Sequence, residues 1–303
     1  MGIQNIGTLS HIVAATPSMT LAGLRQRSVN PNIEQFILTS DGNVDPTYVA
    51  INSAKPGITF DLSDLKAFLD SCGIAGCQLV DADTYFQQVN PYGTRKTGAN
   101  HLKLSIADGM MVPRTLTASQ GQLAQLAAEL WAISSDGSAP LEMTASQALP
   151  GGAGTSVAWT LGPVSINGAA VEGIEQVTVD FGIQVDVIAS DGAVYPSYVY
   201  IASRQPKITL RSMDSLLFDT IGLEGAAQGV TDSVVWFRKC VRGGTRVADE
   251  TAEHISFTVN DGMITCGAVG VSQGQRIGTE IVITPIYDGT NAILVVDTTA
   301  AIA

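Results

Sequence analysis

Two sets of a histidine, an aspartate and a serine recur in this chain: His101, Asp108 and Ser119, then His254, Asp261 and Ser272. Such a trio serves nucleophilic hydrolysis when hydroxyl, imidazole and carboxylate lie in hydrogen-bond contact, near ~3 Å. The spacing argues against that here. His101 and Asp108 stand on what reads as one strand entering a turn, about 23 Å apart at full extension. Ser119 can approach His101 across the hairpin, but Asp108 then stays at its tip. A strand-end histidine and a turn aspartate are the expectation in both places.

The other reactive residue types reduce in the same way. Asp61 and Asp64 have the types of an acid/base pair, but position 61 is matched by Arg211 later in the chain, and Asp64 sits where a helix start favours an anion. Cys72 and Cys77, at a spacing that suits zinc poorly, have no matched counterparts in Cys240 and Cys266. All four cysteines are expected to be buried free thiols. Tyr85-Phe86 and Trp236-Phe237 are adjacent strand residues, so one ring of each pair enters the core and the other faces outward or into an interface. Gly93-Thr94-Arg95-Lys96 and Gly244-Thr245-Arg246 lie in Gly-rich loops before the histidines. They read equally as loops that contact a neighbouring subunit or as solvated hairpins. No catalytic, cofactor or metal site is expected, and the chain does not read as an enzyme.

What positions these residues is a repeat. Ser40 to Thr59 (SDGNVDPTYVAINSAKPGIT) aligns with Ser190 to Thr209 (SDGAVYPSYVYIASRQPKIT), identical at 12 of 20 positions. The match resumes at Gly93/Gly244, His101/His254, Asp108-Gly109-Met110/Asp261-Gly262-Met263 and Ser119-Gln120-Gly121-Gln122/Ser272-Gln273-Gly274-Gln275. A unit of this length is a whole domain rather than a solenoid repeat. Two domains are expected, 1–150 and 151–303, joined at Pro150-Gly151-Gly152-Ala153-Gly154-Thr155-Ser156. That joint lacks the lysine of a phosphate-binding loop and reads as a linker.

Within each unit strand and turn signals dominate. Gln35 to Thr39 and Tyr48 to Ser53 flank one Asp-Gly pair, and Val185 to Ala189 and Tyr198 to Ser203 flank another. Leu24 to Val29 takes its strand assignment from its match to Ile174 to Val179. Six Asp-Gly dipeptides, at 41, 108, 136, 191, 261 and 288, are read as hairpin turns, because glycine takes positive φ freely and aspartate tolerates it. Leu123 to Ile133 is rich in Ala and Leu, but its partner Arg276 to Ile286 is β-branched, so both are assigned as strands. One short helix per unit is expected, over Asp64–Ser71 and Met213–Ile221, each with a cap, an apolar face and a closing glycine. The fold class is mainly β: two tandem antiparallel sandwich- or barrel-like domains, each with one flanking helix.

Charged residues make up 15% of the chain, against roughly 25% in an ordinary soluble domain. A surface this poor in charge suits a chain covered by copies of itself. The net charge of −12 excludes a surface that grips nucleic acid, which needs clustered Lys and Arg. The opening residues lack a signal-peptide pattern, Ile6 spoils a myristoylation motif, and no apolar run approaches a membrane span. A soluble chain made in the cytosol is expected.

The flanking helices at Asp64–Ser71 and Met213–Ile221, the low and acidic charge, and the closing run Gly278-Thr-Glu-Ile-Val-Ile-Thr-Pro-Ile-Tyr-Asp-Gly-Thr290 together resemble the major tail tube proteins of phages with long non-contractile tails, in duplicated form. The resemblance implies a virion protein whose hexameric-type rings stack into a tube, three two-domain chains replacing six subunits. It implies partners among the tail proteins (tip, terminator and tape measure), an acidic lumen, and DNA as passing cargo. It implies no cofactor and no membrane. Rival readings are a capsid decoration or baseplate component and a carbohydrate-binding adhesive module. The second would need exposed aromatic platforms, and aromatics are only 6%.

Overall fold

The computed structural model describes residues 6–40, 42–90, 93–151, 157–213, 227–241, 243–270 and 278–302. The first half runs β1 (Ile6–Thr16), β2 (Met19–Leu21), β3 (Leu24–Asn30), β4 (Ile33–Leu38), β5 (Tyr48–Ala54), β6 (Gly57–Leu62), α1 (Leu65–Cys72), β7 (Cys77–Val89), β8 (His101–Ser119), β9 (Gln125–Ile133) and β10 (Leu141–Gln147). The second half opens with β11 (Val157–Ile166), β12 (Ala169–Val171), β13 (Ile174–Asp180), β14 (Ile183–Ile188), β15 (Tyr198–Arg204) and β16 (Lys207–Ser212). It closes with β17 (Ala227–Val230), β18 (Ser233–Val241), β19 (His254–Val259), β20 (Gly262–Gly270), β21 (Gly278–Pro285) and β22 (Val295–Ala300). Strands β2 to β6 and β12 to β16 have boundaries that differ by one constant, as in Leu24 and Ile174 (174 − 24 = 150). Hairpin β4–β5 pairs Ile37 with Val49, and β14–β15 pairs Val187 with Val199, with a register irregularity at the matching place in each.

The strands pair antiparallel throughout, and one run crosses the middle of the chain. Eight strands follow in the order β3-β6-β9-β8-β13-β16-β21-β20. Four come from each side of residue 150, in matching order. The seam is β8 against β13, from Ser119 opposite Gln176 to Thr115 opposite Asp180. Along the run one face is apolar and buried, as strand alternation dictates: Phe60, Leu126, Leu116, Val177, Leu210 and Ile281. Residues 1–150 and 151–303 therefore share a sheet.

In the second half the facing layer is the five-stranded sheet β12-β11-β18-β19-β22. Phe257 on β19 reaches Phe181, just past β13, at a ring-centre distance of 6.2 Å, and meets Phe237 edge-on at 5.5 Å. In the first half the matching strands β2, β1, β7 and β10 join the run itself, because β8 continues unbroken for 19 residues. Helix α1 is capped by Asp64, whose carboxylate accepts the Ala67 N–H, and closed by Gly73. It buries Leu65, Phe68, Leu69 and Cys72 and also reaches the second half. Lys66 Nζ donates to Thr298 Oγ1 at 2.9 Å, and that hydroxyl donates to Asp70 at 2.6 Å. The expected helix over Met213–Ile221 lies outside the described residues beyond Met213. No helix among the described residues is long and apolar enough to cross a membrane.

Two Asp-Gly assignments are corrected. Asp108-Gly109 lies inside β8, not at a turn, and a Cβ on Gly109 would stand 2.4 Å from the Trp131 carbonyl oxygen. The glycine is there for close strand approach. Asp261-Gly262 separates β19 from β20, which belong to different sheets, so it marks a change of sheet. Asp191-Gly192 is a true hairpin turn, with φ of 53° and 73°, the two positive angles of a type I′ turn. Within Leu123 to Ile133 and its partner, Gln125–Ile133 forms β9 and Gly278–Pro285 forms β21; Arg276 and Ile277 lie outside the described residues. The Leu and Ala pattern that suggested helix alternates, burying Leu126, Ala128, Leu130 and Ala132.

Candidate assembly interface

His101, Asp108 and Ser119 all stand on the single strand β8, so no hairpin brings Ser119 back to His101. The histidines have a structural task instead. His101 is buried, and its Nδ1 accepts the Gln88 N–H at 3.1 Å. His254 is buried, and its Nδ1 accepts the Lys239 N–H at 3.1 Å, while its Nε2 faces the Ala248 carbonyl at 2.9 Å. An accepting Nδ1 leaves the proton of a neutral ring on Nε2, positioned to donate to that carbonyl. Burial first, then the Lys96 ammonium, holds the His101 imidazole below its usual range. Each ring thus seals the strand end next to the Gly-Thr-Arg loop. Ser272 lies outside the described residues.

Asp64 caps α1, and burial raises its carboxyl above the usual range against the lowering effect of the Ala67 N–H. Asp61 is buried on β6 opposite Arg25 and Ala127. Ser212 ends β16, and its hydroxyl donates to the Glu172 carbonyl at 3.0 Å. Phe86 and Phe237 enter the core while Tyr85 and Trp236 are half-buried, as adjacent strand positions require.

The cysteine expectation is corrected. Cys72 and Cys77 form a disulfide. Cys72 ends α1 and Cys77 begins β7, and the reversal through Gly73 and Gly76, both at positive φ, brings their Cα atoms to 4.7 Å. Cys240 and Cys266 are half-buried thiols rather than buried ones.

The two Gly-Thr-Arg loops are exposed and built alike. In the first, the Asn90 N–H donates to the Thr94 carbonyl at 2.8 Å and Val89 bridges Arg95. In the second, the Val241 N–H meets the Thr245 carbonyl at 3.4 Å and Cys240 bridges Arg246. Gly93 has φ +82° with no atom within 4 Å of an added Cβ, so backbone conformation rather than space selects glycine. Lys96 Nζ donates to Gln88 Oε1 at 3.1 Å. Behind Gly244, Thr245 and Arg246, the Arg238 guanidinium grips Asp249 through two bonds of 2.9 and 2.5 Å and holds its carboxyl below the usual range. These are exposed tips, and among the described residues no nucleophile or acid/base pair converges on either.

A second surface was not singled out from sequence. Hairpin β4–β5 stands as its own two-stranded sheet and exposes Phe36 (57%), Ile37 (63%) and Val44 (98%). Beside the far end of the eight-strand run, Met263 (53%) and Tyr287 (65%) are exposed with Ile286. Apolar patches of this kind mark contact sites. The signal was present in Ile33, Phe36, Ile37 and Leu38, an apolar cluster without the alternation of a half-buried strand.

At its two ends the run also presents backbone. Among the described pairings, β3 pairs only with β6. On the side of β20 away from β21, the described pairing is that of β17 with Gly262 to Thr265. Neither family models nor curated proteins give a match to the chain.

Proposed function

We propose that this chain is a structural virion protein of a phage tail: two tandem tube-type β domains, three chains to a ring, the rings stacked into a conduit for DNA. The observation that carries the reading is the eight-strand run, which uses one four-strand order twice and joins the copies through β8 and β13. A unit that already adds to itself once inside the chain is suited to adding again between chains. Such a heterologous contact closes into a ring when its rotation closes. Three chains give six units at about 60° each.

The polar face of the run is the natural lumen in this reading. It presents Thr59, Thr115, Thr117, Thr178 and Thr209, with Glu129, Asp180 and Glu280 set against Lys207 and Arg211. A hydroxyl-lined wall without a net cationic stripe offers phosphates few partners and little release of counterions, so DNA slides past. The low overall charge of the chain supports extensive burial between copies. The exposed Gly93-to-Lys96 and Gly244-to-Arg246 tips then reach neighbouring subunits, and the tail tip, terminator and tape-measure proteins would be its other partners.

The test is negative-stain microscopy of the purified protein across a concentration series, with mass measurement of the smallest closed species. Hollow rings or tubes with three chains per layer are expected. A compact monomer at every concentration would sink the reading.

A further inference from the structure

The junction inside the chain has two parts. Strand β8 meets β13, with Thr117 opposite Thr178 and Leu116 opposite Val179. The loop of the β14–β15 hairpin also seats on the first half: the Val194 carbonyl accepts the Ala54 N–H at 2.9 Å, and the Pro196 carbonyl accepts the Ser134 N–H at 2.8 Å. Arg114 ties the parts together, donating to the Ile183 carbonyl and to Glu129. This junction uses the β8–β9 side of the first half and the β13–β15 side of the second. Among the described residues, β3 has no partner on the side away from β6, and β20 has none beyond Thr265 on the side away from β21.

Registers show what those sides are. Residues of β3 to β6 carry over to the second half by adding 150, as Leu24 to Ile174 does. Residues of β8 and β9 carry over by adding 153, as the pair Met111–Leu130 matches Ile264–Ile283 (264 − 111 = 153 and 283 − 130 = 153). The irregularity after Pro113 recurs after Cys266 at the same displacement. Carried across, the seam residues Thr178 and Val179 become Ser28 and Val29 on the open edge of β3. Thr117 and Leu116 become Gly270 and Val269 on β20, beyond the point where β17 stops pairing. The loop residues Val194 and Pro196 become Val44 and Pro46, and their partners Ala54 and Ser134 become Arg204 and Tyr287. Both exposed patches thus fall where the internal junction has less exposed counterparts: half-buried Val194 and buried Pro196 stand for Val44 and Pro46 on one side, and half-buried Met110 and Ile133 with buried Ser134 stand for Met263, Ile286 and Tyr287 on the other.

We propose that a second copy of this chain docks head to tail by repeating the internal junction. Strand β3 of one copy adds antiparallel to β20 of the next, with Val29 opposite Val269 and Ser28 opposite Gly270. The β4–β5 hairpin folds over Met263 and Tyr287 of that neighbour. The proposal deepens the ring reading and rests on it. The hydrogen-bond direction is consistent, because seven successive antiparallel pairings end on two edges that themselves meet antiparallel. Pairing also covers the edge of β3, which would otherwise invite uncontrolled addition. One element does not repeat. Arg114 and Glu129 carry over to Gly267 and Val282, so the contact between chains lacks that ion pair. It is therefore an apolar and backbone contact that high salt leaves intact.

The test blocks one side at a time. Val44→Asp with Val49→Asp disables the hairpin side, and Met263→Asp with Tyr287→Asp disables the opposite corner. All four residues are exposed in the single chain, so each double variant should keep the wild-type far-ultraviolet spectrum. Each variant alone should lose rings at concentrations where wild type forms them. An equimolar mixture should form a one-to-one dimer and stop, since one intact hairpin side meets one intact corner. Rings from either variant alone, or a mixture that stays monomeric, would overturn the interface. A wild type that never assembles would overturn the ring reading first. A second measurement needs no loss of assembly: Pro46→Cys with Tyr287→Cys in one chain, treated with an added thiol oxidant, should give a disulfide-linked ladder between chains that wild type lacks. Absence of that ladder in assembled rings overturns the proposal.

Discussion

His101 and His254 carry the clearest residue-level logic in the molecule. Each accepts a backbone N–H at Nδ1 where a long strand ends in a Gly-Thr-Arg loop, which explains two matched histidines without catalysis. The acceptor exists only while the ring is neutral, and the His101 imidazole is held below its usual 6.5 by burial and Lys96. The unfolded chain therefore takes up this proton before the folded one does. Stability from His101 is intact above about pH 6.5 and is lost as pH falls below it. Melting temperatures between pH 7.5 and 5.5 should fall more steeply for wild type than for His101→Gln. Equal slopes would remove this role. His101→Ala leaves the Gln88 N–H buried without its acceptor, a cost of about 1–3 kcal/mol at pH 7.5, readable as a urea midpoint shift.

Strands and turns show one dipeptide doing different jobs. Asp191-Gly192 turns a hairpin, whereas Asp108-Gly109 lets β8 pass the Trp131 carbonyl. Gly109→Ala places a methyl 2.4 Å from that oxygen and should cost about 1–3 kcal/mol, as overpacking does. A Gly109→Ala protein of wild-type stability would mean that β8 and β9 part freely. The Cys72–Cys77 bridge closes a short loop at the end of α1. By loop entropy its removal as Cys72→Ala with Cys77→Ala should cost about 2 kcal/mol, measured as unfolding under non-reducing conditions. The bridge was not legible in the spacing, because only the Gly73 and Gly76 reversal decides whether the two Cα atoms meet. The α1 cap was legible: Asp64, the apolar Leu65, Phe68 and Leu69, and Gly73 sit in the order that starts, buries and ends a helix.

For the whole molecule, the prediction concerns DNA and salt. A tube wall of this kind should not retard duplex DNA in a gel at physiological ionic strength. Retardation that weakens steeply with salt would indicate phosphate contacts and remove the passive-conduit part of the reading. Assembly itself should persist at 1 M salt, where the Debye length is about 3 Å, because the open edges of β3 and β20 join through backbone and apolar groups. Rings that dissolve on raising salt would instead point to ion pairs between copies.

The sequence by itself determined the β character, the matched strands and the start and end of α1, since alternation, β-branching and capping act over a few residues. It also set the 12-of-20 identity between Ser40–Thr59 and Ser190–Thr209. Only the tertiary structure decided that Thr115–Ser119 meets Gln176–Asp180 across the middle of the chain. Which strand lies beside which is a non-local choice, fixed by burial of one continuous apolar face rather than by any local signal. The same holds for the Cys72–Cys77 bridge and for the exposed β4–β5 hairpin. Their residues are plain in the sequence, but their neighbours exist only once the chain has folded.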